Sequence, residues 1–171
     1  MTPVQILLNN SLYDISQLTI PTDNVDKESL LKPRHWDLAF INKYMLFFGP
    51  ISSVFDFITY FIMLSIFKFS PATFQTGWFL ESLFTQTLVI FAIRTSKFPF
   101  LKSNPSKWLV ISAVCVLGLA VSITALPIAA TLGFGKLPSM WFLVLIGLVT
   151  AYMLLVDLLK VFFIKRFKVW N

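Results

Sequence analysis

The chain has one cysteine, Cys115, and one histidine, His35, among 171 residues. That excludes a disulfide framework, and it excludes thiolate or clustered imidazole sites for zinc, copper or iron. Any metal held within the chain must be held by oxygen. Charge is scarce as well: 13% of residues are charged and 57% hydrophobic, and the mean hydropathy is +0.78. Nineteen Phe and five Trp are more apolar surface than one soluble core of this size can hide. A bilayer removes that difficulty. In a soluble protein the net charge of +6 would suggest nucleic acid; here topology explains it, and no nucleic-acid partner is expected. No internal repeat, low-complexity run or soluble domain is visible, and the longest hydrophilic stretch, 22–45, has the length of a loop.

What is present is long apolar runs. Five stretches read as spanning helices, at about 4–20, 46–67, 77–93, 108–126 and 141–162. The expectation is therefore an all-α, polytopic helical membrane bundle, a single transmembrane domain over 1–171 embedded in the lipid bilayer. The last four stretches meet the need for roughly 17–25 mostly apolar residues. Trp78, Trp108 and Trp141 stand at segment edges, where amphipathic rings favour the headgroup layer. The first stretch is short and carries Gln5, Asn9, Asn10, Asp14, Ser16 and Gln17 before Pro21, so hydropathy alone does not decide it.

Basic residues set the orientation. Residues 21–45 carry Lys27, Lys32, Arg34 and Lys43; residues 94–107 carry Arg94, Lys97, Lys102 and Lys107; the tail carries Lys160, Lys165, Arg166 and Lys168. Those twelve leave only Lys68 and Lys136 of the fourteen for the alternate connections. The positive-inside rule then makes the C-terminus cytoplasmic and puts Met1 on the other side, without a cleavable signal to carry it there. We therefore expect Met1 to be an internal position of a longer ancestral or intact gene product.

Four of the eight acids, Asp14, Asp56, Glu81 and Asp157, fall inside apolar segments. Lys160 lies one turn from Asp157, which suits an interfacial ion pair. The other three have no basic partner in sequence, and each isolated carboxylate costs about 3 kcal/mol or more in the bilayer unless it is protonated, hydrogen-bonded or neutralised by a cation. Asn10 and Asp14 are four residues apart, on one helix face, and Gln17 extends that face. Amide and carboxylate oxygens are hard ligands that suit Mg²⁺ or Ca²⁺; the same groups also suit hydrogen bonding between helices. Asp56 and Glu81 allow both readings too, with hydrogen bonding the stronger one at Asp56. The run GFGKLPS lacks the spacing of a phosphate-binding loop.

Beyond these readings, LLNNSLYDISQLTIPTDNVDKESLLKPRHWD resembles the sixth membrane helix and following cytoplasmic loop of bacterial magnesium-transporting P-type ATPases. FGPISSVFD, FQTGWFLESLFTQTLVIFAIRTSKFPF and FFIKRF resemble the seventh, eighth and tenth helices of that family. The resemblance implies that Asn10 and Asp14 match an Asn-x-x-x-Asp element that supplies ion ligands, and that Glu81 falls, more loosely, where related pumps place an acid on the eighth helix. It also implies Mg²⁺ as the transported ion, moving into the cytoplasm across the bacterial inner (plasma) membrane. ATP would enter only through upstream domains, because the Asp-Lys-Thr-Gly-Thr phosphorylation motif and the nucleotide-binding sequences do not occur in this chain. The chain should not hydrolyse ATP alone. The upstream half of such an ATPase is the implied partner, and it would also bring the family's fifth-helix ligands. The alternative is a non-enzymatic membrane scaffold or regulatory subunit that associates with a complete cation pump; a secondary carrier is disfavoured by the lack of an inverted repeat.

Overall fold

A computed structural model describes residues 1–24, 38–95 and 103–167, and the side chains among them other than 39–41 and 164–167. His35, the loop acids Asp26, Glu28 and Asp37, and the basic residues Lys27, Lys32, Arg34, Lys97, Lys102, Lys165, Arg166 and Lys168 lie outside the described side chains. The described chain is helical: α1 (Pro3–Gln17), α2 (Leu38–Phe61), α3 (Pro71–Ile93), α4 (Lys107–Ala125), the single turn α5 (Ile128–Thr131) and α6 (Ser139–Phe167). Among the described residues, four helical stretches are long and apolar enough to cross a membrane: Asn42–Ile66, Pro71–Ile93, Lys107–Ala125 and Ser139–Phe163. Helix α1 is shorter. Its 15 residues rise about 22 Å, against a hydrocarbon thickness of about 30 Å.

The helix starts are written in the local sequence. Thr2-Pro3, Ser70-Pro71 and Ser106 each place a hydroxyl cap before the first turn, and the caps accept from Gln5 N at 3.3 Å, Thr73 N at 3.4 Å and Leu109 N at 3.1 Å. Proline at the first helical position loses no intrahelical bond. At α1 the Gln5 side chain closes a reciprocal capping box by accepting from Thr2 N at 3.0 Å. Helix α2 is the irregular one. Pro50 lies inside it, removing one backbone donor, and it ends in a π-helical turn, Ile62–Ile66.

Helix α3 is the centre of the bundle. It packs against α6, α1 and α4, and 56% of its most apolar window is buried, against 6% for α2. The main core joins Leu12 of α1, Phe79, Leu80 and Leu83 of α3, Val116 and Ala120 of α4, and Leu145 and Val149 of α6. Helix α2 lies outside this core and leans on α6 through aromatic contacts, Phe48 and Phe47 against Phe163 and Phe55 against Tyr152.

Polar contacts tie the two ends of the bundle. At one end, Arg94 pairs with Asp23 and donates to the Ser103 carbonyl at 2.9 Å, and Asp23 also accepts from Ser106 N at 2.8 Å. Lys160 reaches the Ala92 carbonyl from α6 at 2.8 Å. At the other end, Gln5 donates to the Leu132 carbonyl at 3.1 Å, and Gly135 N donates to Thr76 at 2.8 Å. Helix α1 with its 3-10 extension Ile20–Thr22 thus reaches both ends, and successive long helices run antiparallel. Arg94, Ser103 and Ser106 and the part of α6 around Lys160 share the Arg94 end.

Trp141 departs from the sequence expectation. It is 0% exposed rather than set at a membrane edge, and it packs edge-on against Phe67 and Phe69. Its segment begins in the bundle interior, because α3 presents Gly77 to it; a Cβ there would stand 2.8 Å from Met63 Sδ and 3.3 Å from the Trp141 ring. Trp108 remains exposed at 66%, as an interfacial residue would.

At Gly135 a Cβ would come within 2.6 Å of Thr73 N and 2.8 Å of Ala72 C, which are backbone atoms of the first turn of α3 and cannot swing aside. Gly135→Ala is expected to cost about 1–3 kcal/mol through overpacking, read as a lowered Tm of the purified protein in detergent. Gly147→Ala, with nothing within 4 Å of the added carbon, should leave Tm unchanged or slightly raised.

Candidate ion-binding site

The polar residues of α1 divide between two faces. Gln5, Asn9, Leu12 and Ser16 are buried, at spacings of four, three and four, against α3 and α4. Asn10 and Asp14 are exposed on the other side, together with Ile6, Leu7, Ser11, Ile15 and Leu18. The Asn-x-x-x-Asp pair thus stands on one helix face, as its spacing demands, and that face is exposed among the described residues. The buried face is held locally: Ser16 Oγ donates to the Tyr13 carbonyl at 2.6 Å, and Ser112 Oγ of α4 donates to the Ser16 carbonyl at 3.3 Å. Asn9 Oδ1 and Gln17 Nε2 are buried without a hydrogen-bond partner.

Glu81 sits elsewhere. It is 2% exposed in the middle of α3 and lines a cavity of about 310 Å³ between α2, α3 and α6. The cavity wall comprises Ser52, Phe55 and Asp56 from α2, Trp78, Glu81, Ser82, Thr85, Gln86 and Val89 from α3, and Tyr152 from α6. None of these residues belongs to α1, so Glu81 and the Asn10–Asp14 pair open onto different spaces. The Asp56 carboxylate is close enough to Glu81 for the two charges to interact. Ser52 Oγ and Tyr152 Oη share a hydrogen bond of 2.9 Å. Thr59 also lies near Glu81, yet neither Thr59 Oγ1 nor Glu81 Oε2 makes a hydrogen bond of ordinary geometry.

In the sequence Asp56 is an acid without a basic partner, and no motif there singles out Ser52, Thr59, Thr85 or Tyr152. A signal was available: Ser52, Asp56 and Thr59 recur at spacings of four and three, a polar stripe on one face of an otherwise apolar helix. Glu81 and Thr85 do the same on α3. Gln86 is ~140° around α3 from Glu81 and still lines the cavity, which is wide enough to meet both. Among the described residues, no three His, Cys, Asp or Glu side chains converge; what converges is two carboxylates among hydroxyls and an amide.

The fourth intramembrane acid has its own partner. Lys160 Nζ donates to Asp157 Oδ1 at 2.9 Å, and both side chains are almost wholly buried. The same ammonium reaches the Ala92 carbonyl in the last turn of α3, where a cation complements the exposed carbonyls of a helix end. This pair fastens α6 to α3.

An all-helical bundle with four described helices long and apolar enough to cross a membrane, and with carboxylates and amides placed inside those helices, has the build of a polytopic membrane domain. The chain belongs to the cation-transporting ATPases: residues 1–162 match the family described as "Cation transporting ATPase, C-terminus". It is 40% identical over 171 residues to the "Magnesium-transporting ATPase, P-type 1" of Escherichia coli (strain K12), covering 98% of this chain and 19% of that protein. A protein of the same description from Salmonella typhimurium (strain LT2) is 38% identical over 174 residues, covering 99% of this chain and 19% of the relative. The chain therefore spans about a fifth of the length of these relatives, and the likeness is to their C-terminal membrane region.

The Asp157–Lys160 pair supplies a test of its structural role. Lys160→Met leaves a buried carboxylate without its cation, and breaking such a pair costs about 3–5 kcal/mol. The expected readout is a large loss of stability in detergent unfolding. Combining Asp157→Leu with Lys160→Met should restore most of it, since an apolar replacement of both partners removes the uncompensated charge.

Proposed function

We propose that the chain is the membrane transport portion of a P-type Mg²⁺-transporting ATPase, and that Asn10 and Asp14 supply part of its intramembrane cation site. The observation that carries this reading is the two-faced character of α1. One face is filled by α3 and α4, while the opposite face holds a carboxylate and an amide one turn apart. An Asp on a lipid-facing surface at membrane depth is costly, and helices contributed by the upstream part of the pump would cover it. Two hard oxygen ligands from α1 suit Mg²⁺, which keeps several waters and uses only one or two carboxylates. Glu81 is a further cation-binding group of the same transport domain, from the neighbouring helix and facing its own cavity.

In this reading α1 and the four longer helices make five spans, with α1 completed by its 3-10 turn and tied at both ends through Gln5 and Asp23. The Arg94 end of the bundle, the side to which the basic connections belong in sequence, lies in the cytoplasm, and so does the C-terminus. The membrane is the bacterial inner membrane, and transport runs into the cell. ATP acts through the upstream half of the pump: phosphorylation there shifts α1 against α3 and α4 and opens the Asn10–Asp14 face to each side in turn. This chain's own residues bind and release the ion.

The test is Mg²⁺ uptake by cells that lack other magnesium transport, expressing this chain together with the upstream half of the ATPase. Uptake should be restored only with both parts, and Asp14→Asn should lower it at least tenfold with membrane insertion unchanged. Restored uptake that ignores the substitution would remove Asp14 from the site. No uptake in any combination would sink the pump reading and leave a membrane scaffold.

A further inference from the structure

Asp56, Glu81 and Tyr152 each lie within about a turn of the middle of their own membrane-length helices, Asn42–Ile66, Pro71–Ile93 and Ser139–Phe163. They therefore meet at mid-depth along the bundle, Glu81 and Tyr152 buried and Asp56 exposed on the α2 side of the cavity. No Lys or Arg lines their cavity, and the buried Lys160 is committed to Asp157 and the Ala92 carbonyl. Glu81 Oε2 is buried without a hydrogen-bond partner, although Glu81 is only 2% exposed and lines the cavity. The Thr59 hydroxyl is the donor near it, without ordinary hydrogen-bond geometry, and a buried carboxylate so weakly satisfied is expensive in this setting. It calls for a species that brings positive charge into the cavity.

We propose that the cavity between α2, α3 and α6 is a second divalent-cation site, separate from the Asn10–Asp14 face, with Asp56 and Glu81 as its charged ligands. The inference rests on the reading of the chain as a divalent-cation transport domain and adds to it a site that α1 does not touch. Charge decides for a divalent ion: two carboxylates with no basic neighbour are neutralised by one M²⁺. Size agrees. Six waters occupy about 180 Å³ at their share of the liquid, and the cavity of about 310 Å³ admits an ion that keeps most of its hydration shell. Mg²⁺ favours such sites, since it dehydrates reluctantly and is commonly held through one or two carboxylates and retained waters. Ser52, Tyr152, Thr85 and Gln86 supply neutral oxygens to those waters. The Ser52–Tyr152 hydrogen bond ties the α2 side of the wall to α6, so that filling the site fastens the loosely packed α2 onto the bundle.

The experiment uses Mn²⁺ as a paramagnetic substitute for Mg²⁺, titrated into the full chain in detergent, with free Mn²⁺ counted by electron paramagnetic resonance. The expected result is saturable binding that Mg²⁺ displaces, weakened at least tenfold by Asp56→Asn and by Glu81→Gln. Trp78 is part of the cavity wall, so bound Mn²⁺ should also quench its fluorescence in the natural chain. Trp78→Phe, which keeps both carboxylates, should retain the binding and lose that quenching. This second readout stands if either carboxylate variant fails to fold. Saturable binding that survives both carboxylate changes, absence of saturable binding by the natural chain, or binding without quenching from Trp78 would each overturn the proposal. Asp14-dependent uptake, which tests the pump reading, is a separate measurement, so the two can fail independently.

Discussion

The polar side chains inside the membrane-length helices are placed under one constraint: within hydrocarbon no water is available to complete their hydrogen bonds, and an unpaired carboxylate costs about 3 kcal/mol or more. The four intramembrane acids answer that constraint in three ways. Asp157 is paired with Lys160 and thereby becomes a fastener between α6 and α3. Asp56 and Glu81 share a cavity with hydroxyls and an amide. Asp14 is left on an outward face with Asn10 beside it. The first arrangement is a closed ion pair, and the other two have no basic partner among the described residues. That difference separates the structural acid from those to which a cation is assigned.

Helix α3 makes these placements possible. It touches α1, α4 and α6 at once, and its sequence is apolar around most of its circumference, as suits a helix buried on several sides. Small residues let neighbours approach where it matters: Gly77 admits Met63 and Trp141. Its C-terminal end collects the two cations Arg94 and Lys160, one balanced by Asp23 and the other by Asp157. Those pairs fix the heights of α1, α3 and α6 relative to one another, and with them the depth at which Glu81 sits. Helix α2 escapes most of this discipline. Interrupted by Pro50, ended by a π-helical turn and buried over only 6% of its apolar window, it is the element with most freedom to move against the rest. It also carries Asp56.

Much of the architecture was legible because bilayer physics is blunt. Long apolar runs can satisfy their backbones only as helices, and the hydroxyl-proline caps announce where those helices begin. The Asp157–Lys160 pair was legible from its spacing alone. Lateral placement was not. Sequence gives the faces of a helix but not which neighbour each face meets, so it does not show that Asp56 and Glu81 line one cavity. Trp141 read as an interfacial anchor for the same reason: an aromatic at the start of an apolar run favours the headgroups by default, and only the space offered by Gly77 draws it inside. The Asn10–Asp14 element was visible as chemistry, whereas the burial of the other face of α1, through Gln5, Asn9 and Ser16, required its neighbours.

That other face bears on how α1 can work. A helix whose interior contacts were wholly apolar would slide or rotate with little to define its end states. Helix α1 is instead gripped by polar contacts at both ends, Gln5 on the Leu132 carbonyl and Asp23 on Arg94 and Ser106, while at mid-height Ser16 and Leu12 pack against α4 and α3 with Asn9 Oδ1 left unsatisfied. Grips at the ends with a loosely bonded middle oppose translation more than bending or rotation between the ends. A movement imposed from outside the chain would therefore be expressed at the middle of α1, the level of Asn10 and Asp14, and passed to α3 through the core that Leu12 shares with Phe79, Leu80 and Leu83. Glu81 stands within that same stretch of α3, on its opposite side.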